Sequence, residues 1–78
     1  MNLETRLLDL LHSVRPEADF TSSQDFVGDG LLDSFDLVTL VSEIDRAFSL
    51  SIPGTDILPE NFQNLAAIAA LLRRLGAA

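Results

Sequence analysis

The sequence predicts an all-α fold: a small antiparallel bundle of three long helices plus one short helix. Three observations predict it. Apolar residues recur at three- and four-residue spacing in three separate stretches. No stretch alternates with the period of a strand. Proline and glycine fall between the periodic stretches.

Leu3, Leu7, Leu10, Leu11 and Val14 define the first helix, residues 3–14, with Asn2 as N-cap and Pro16 closing the segment. Leu37, Leu40, Val41, Ile44 and Phe48 form one stripe over residues 35–48, the strongest periodic signal in the chain. "LSIPGTD" then breaks the helix at Pro53 and Gly54. A short turn of helix is expected in "DILPENF", where Pro59 limits anything longer. Leu65, Ile68, Ala69, Leu72 and Leu75 give the third long helix, with Asn64 as cap and Gly76 just beyond its end. The connection between the first two helices runs to about twenty residues, long for a small bundle. Phe20, Phe26, Val27, Leu31 and Leu32 are spread along it and are expected to pin it over the bundle. A long anchored loop leading into a helix suggests a presented site.

The 78 residues make one domain, 1–78, with a modest core. There is no cysteine, hence no disulfide and no thiolate from the polypeptide itself. Twelve acidic residues against five arginines, with no lysine, give a net charge of -7. That balance argues against nucleic acid and against an anionic membrane surface. It suits either docking onto basic patches of other proteins or simple solubility. "MNLETRLLDLLHSV" lacks the cationic start and apolar core of a targeting signal, and no apolar run approaches spanning length. A cytoplasmic location without membrane insertion is the expectation.

"GDGLLDSFDLVT", residues 28–39, sets Ser34 between Asp33 and Phe35 where the loop becomes helix. Asp33 or Ser34 would serve as N-cap, and Asp36 suits the positive end of the helix dipole. A catalytic serine would need a base and a group to orient it. The only histidine, His12, has no relay near it in sequence, and there is no G-x-S-x-G elbow. On the calcium-loop template Asp25, Asp29, Gly30, Asp33 and Asp36 take positions one, five, six, nine and twelve. Val27 fails at position three, and Asp36 is shorter than the glutamate expected at twelve, so no metal is expected. A modification site remains beside the cap: free N–H groups at a helix start stabilise a phosphate ester, and a separate enzyme can activate the hydroxyl.

"LLDSFDLVTLVSEIDRAFSLSIP" resembles the phosphopantetheine-attachment region of acyl and peptidyl carrier proteins. Asp33, Ser34 and Phe35 match the Asp-Ser-Leu triplet that opens their second helix, with Phe for Leu; Phe48, Ile52 and Pro53 match that helix's end and turn. The resemblance spans nearly the whole chain, and "GLLDSF" is similar to stand-alone carriers of the D-alanyl carrier type. It implies an acyl-carrier-protein-like fold and a carrier, not an enzyme. A phosphopantetheinyl transferase would move 4'-phosphopantetheine from coenzyme A onto Ser34, flanked by Asp33. An acyl or aminoacyl group, loaded by an adenylating ligase, would ride as a thioester to downstream acyl-transfer or synthase enzymes. The carrier is expected to act as a monomer.

With the apolar stripe of the second helix turned inward, Phe35, Thr39, Ser42 and Arg46 lie opposite, flanked by Val38 and Asp45 on one side and Asp36 and Glu43 on the other. Partner docking is expected on Phe35, Asp36, Val38, Thr39, Ser42 and Arg46. Phe35 either anchors that surface or folds back over Leu31 and Leu32. Fatty-acid carriers have a more continuous acidic face here, from which Thr39, Ser42 and Arg46 depart. Ala66, Ala67, Ala69 and Ala70 either leave room for a chain inside or let helices approach closely, and the second reading favours a short cargo. The alternative function is an unmodified acidic helical protein-interaction module.

Overall fold

The computed structural model describes residues 2–76. The first helix, α1, is Leu3–Val14, and Asn2 caps it by accepting the Thr5 N–H at 2.8 Å. It ends at Arg15, whose N–H still donates to the Leu11 carbonyl, before Pro16 stops it. The second, α2, is Ser34–Phe48, and the third, α3, is Leu65–Arg74, capped by Asn64 through the Ala67 N–H at 2.8 Å. Among the described residues there is no strand.

Where the sequence predicts one short helix, two single 3-10 turns stand instead, Gly54–Asp56 and Pro59–Asn61. The reason is Pro59. Its ring forces Leu58 into extended backbone (φ -119°, ψ 145°), and it has no N–H to continue a helical ladder. Among the described residues there are therefore three α-helices, not four.

Side-chain contacts fix the topology. Arg15 at the end of α1 meets Asp36 at the start of α2, while Arg6 near the start of α1 reaches the Ala47 carbonyl at the end of α2. These two helices are antiparallel. Glu4 and Arg73 likewise join the first turn of α1 to the last turn of α3. At its other end α3 meets the loop: Asn64 donates to the Gln24 carbonyl. Helix α1 thus packs against both partners.

Leu7, Leu11, Leu40, Ile44, Ile68 and Leu72 are fully buried where the helices meet, with Leu71 beside them although it lies off the stripe read from sequence. Phe48 closes the far end under the Arg6 guanidinium, 4.1 Å above its ring. The segment 15–33 is anchored by Phe20, Phe26 and Leu32, all buried, with Val27 and Leu31 half-buried. Phe26 is its hub. Its ring packs edge-on to Phe20 at 5.0 Å, its N–H donates to the Gln63 carbonyl, and its carbonyl accepts from both Leu31 and Leu32. Gly30 supplies the left-handed turn (φ 79°) that lets the chain double back to Phe26. The loop therefore delivers Asp33 to the head of α2 on a fixed path. Among the described residues no helix is long and apolar enough to cross a membrane.

Candidate functional site

The head of α2 is built by two aspartates that flank a serine. Asp33 lies in extended backbone and accepts the Asp36 N–H on its side chain at 2.8 Å. Asp36 returns the bond, accepting the Asp33 N–H at 3.2 Å. This is a reciprocal capping box. Ser34 is the first helical residue and is exposed. Of the two cap candidates, Asp33 holds the position, so the serine hydroxyl is not needed for capping. It stands at the positive end of a fifteen-residue helix.

The sequence pattern puts Asp36 on the outer, docking side of α2. The structure instead buries it to 9% exposure. Its Oδ2 accepts from the Arg15 guanidinium at 2.7 Å, and Arg15 Nε donates to Glu17 at 2.7 Å. Burial pushes the Asp36 carboxyl up, but the Arg15 hydrogen bond and the Asp33 N–H outweigh it and hold it below the ordinary range. The same partners, Glu17 first and then Asp36, hold Arg15 more firmly protonated. A helical wheel of α2 alone puts Asp36 on a flank; an arginine reaching over from α1 closes that flank.

The remaining docking candidates lie outward. Phe35 is 78% exposed and Val38 61%, so Phe35 does not fold back over Leu31 and Leu32. Ser42 and Arg46 are exposed and Thr39 half-exposed, its hydroxyl donating to the Phe35 carbonyl. Arg46 pairs with Glu43. Asp45 accepts the Ile52 N–H at 3.0 Å. Every carboxylate from Asp33 to Asp45 therefore has an intramolecular partner, and the large apolar side chains exposed near Ser34 are Phe35 and Val38.

The loop aspartates are similarly engaged: Asp25 accepts the Gly28 N–H, and Asp29 accepts the hydroxyl of buried Ser23 at 2.6 Å. His12 is exposed on α1 with its ring tilted against Phe20. Of the alanines on α3, Ala69 is fully buried, Ala67 half-buried, and Ala66 and Ala70 face outward. Ala69 is the alanine of this run that sits in the core. A cleft of about 320 Å³ lies instead between the loop and the start of α3, bounded by Phe20, Phe26, Asn64 and Leu65 among others.

Sequence reasoning misses Arg15 and Glu17. The available signal is charge scarcity: with five cations in the chain, one placed at a helix end beside Pro16 is a residue in search of a carboxylate.

No curated protein matches the chain. A family model described as phosphopantetheine attachment site matches residues 4–72, from the first turn of α1 to the last turns of α3. With that match over most of its length, the chain belongs to the phosphopantetheine-attachment family, whose domains carry 4'-phosphopantetheine covalently.

Proposed function

We propose that Ser34 is the attachment residue and that the chain is a carrier, taking an acyl or aminoacyl group from an adenylating ligase to a downstream acyl-transfer or synthase enzyme. The observation that carries this is the division of labour at the head of α2. Asp33 caps the helix, which leaves the Ser34 hydroxyl exposed and available to a phosphopantetheinyl transferase. In the loading step the Ser34 oxygen forms a phosphate ester, the pyrophosphate bond of coenzyme A breaks, and the nucleotide half leaves. The hydroxyl proton passes to a base on the transferase, since among the described residues no side chain hydrogen-bonds the Ser34 hydroxyl. The arm, once bound, supplies a thiol that this cysteine-free chain lacks and on which the cargo travels as a thioester. The N–H groups of the first turn and the dipole of α2 favour the ester's negative charge.

Phe35 and Val38 are proposed as the docking anchors, with Thr39, Ser42 and Arg46 as the polar margin. Their exposure beside Ser34 supports this, as does the withdrawal of Asp36. Similarity of "GLLDSF" to the D-alanyl carrier type, together with outward-facing Ala66 and Ala70, favours an amino acid or short acyl cargo over a long chain. Incubation with coenzyme A and a broad-specificity transferase, followed by intact mass, tests the reading. A mass gain that Ser34→Ala abolishes is expected; no gain on the wild-type chain favours the unmodified interaction module.

A further inference from the structure

We infer that Arg15, nineteen positions before the serine, is a positioning residue for Ser34, acting through Asp36 to order the first turn of α2. The inference rests on the proposed modification of Ser34 and adds to it a residue from a different helix. Arg15 is well placed for this. Its backbone is fixed at the C-cap of α1, with its N–H on the Leu11 carbonyl and its own carbonyl taking the Ala18 N–H. Its guanidinium then spans two carboxylates, Glu17 through Nε and Asp36 through NH1, each at 2.7 Å. Glu17 holds the fork in orientation; Asp36 is what the fork delivers to α2.

Asp36 Oδ2 carries two bonds at once, one from Arg15 and one from the Asp33 N–H. The oxygen that completes the capping box is thus the oxygen Arg15 grips. The antiparallel arrangement adds to this, because the negative end of α1 lies beside the positive end of α2. A cation from the first and an anion from the second satisfy both dipoles with one pair. Ser34 lies between the two aspartates of the box, so whatever orders the box orders the serine. Without Arg15, Asp36 becomes a largely buried carboxylate lacking its cation, and the cheapest relief is to fray the first turn and expose it.

The test uses the whole chain as Arg15→Ala, Asp36→Asn and the double variant, with two readouts. Amide exchange should show faster exchange at Asp36 and Leu37, the first-turn amides, in Arg15→Ala, with Leu40 and Ile44 unchanged. Transferase kinetics should show about a tenfold rise in KM for the unmodified carrier at unchanged kcat, because only the ordered fraction is competent to bind. In the double variant, Asp36→Asn keeps an oxygen for the Asp33 N–H and removes the stranded charge, so it should recover most of that loss. Three results overturn the inference: first-turn exchange at the wild-type rate in Arg15→Ala, wild-type loading by Arg15→Ala, or a loading defect that Asp36→Asn does not relieve. The last would make Arg15 a direct contact of the transferase. Failure of the wild-type chain to gain mass refutes the attachment reading instead, and the exchange data then decide the ordering of α2 on their own.

Discussion

Asp33 and Asp36 cap each other across the first turn of α2, 2.8 Å from the Asp36 N–H to Asp33 and 3.2 Å in the return bond. The serine between them keeps a free hydroxyl for that reason. Position 33 is structural and position 34 is not, and the two should separate in measurement.

Asp33→Ala should lower stability by about 1 kcal/mol, the usual worth of an N-cap, and Asp33→Asn should recover most of it. Ser34→Ala should stay within about 0.5 kcal/mol of wild type. Urea denaturation of the three variants checks this. A Ser34→Ala loss as large as that of Asp33→Ala would mean the serine shares the cap.

Acid should weaken the fold through the same group. Asp36 sits below its ordinary value of 3.8 in the folded protein, so its contribution is present above that pH and is lost as pH falls through the lower folded value. Glu17, lowered from 4.5 by its Arg15 hydrogen bond, acts in the same direction but is exposed and adds little. Thermal melts from pH ~6 to pH ~3 should show a falling midpoint, and Asp36→Asn should flatten the fall. An equal fall in both proteins would place the acid-sensitive group elsewhere.

Two phenylalanines nine positions apart should behave in opposite ways. Phe26→Ala removes the hub of the loop and should cost about 3–5 kcal/mol, most of what so small a domain has. Phe35→Ala should leave the melting temperature unchanged while lowering kcat/KM with the proposed loading ligase about tenfold. Circular dichroism and acyl-transfer kinetics on both variants decide the matter; a destabilised Phe35→Ala would show the ring packs inward in solution.

Ser49 ends α2 in the left-handed region at φ 54°. A side chain there costs about 1–2 kcal/mol and glycine costs none, less what glycine loses through a freer unfolded chain. Ser49→Gly should therefore gain about 0.5 kcal/mol by denaturant midpoint, with loading untouched.

The helices were legible because their signals are local. Asn2 and Asn64 cap where the sequence places them, and α1 begins and ends as its apolar spacing predicts. The triplet around Ser34 is what puts the proposed attachment there; that Asp33 alone takes the cap was not legible, since Asp33 and Ser34 are equally good caps on paper. The burial of Asp36 was not legible. It depends on a side chain twenty-one residues away, and no periodicity within α2 encodes which neighbour will cover a flank. The short helix is matched only in part: within "DILPENF" a single 3-10 turn forms at Pro59–Asn61, because Pro59 constrains Leu58 as well as itself.

Arg6 grips the end of α2, through the Ala47 carbonyl and the Phe48 ring, as Arg15 grips its beginning. Anyone transplanting the second helix of a relative into this protein would therefore be moving half of a two-piece fitting. The donor's helix would need sockets for both Arg6, in the recipient's first helix, and Arg15, at its C-cap. A graft that ignored them would register as a folding defect and be mistaken for a change of function.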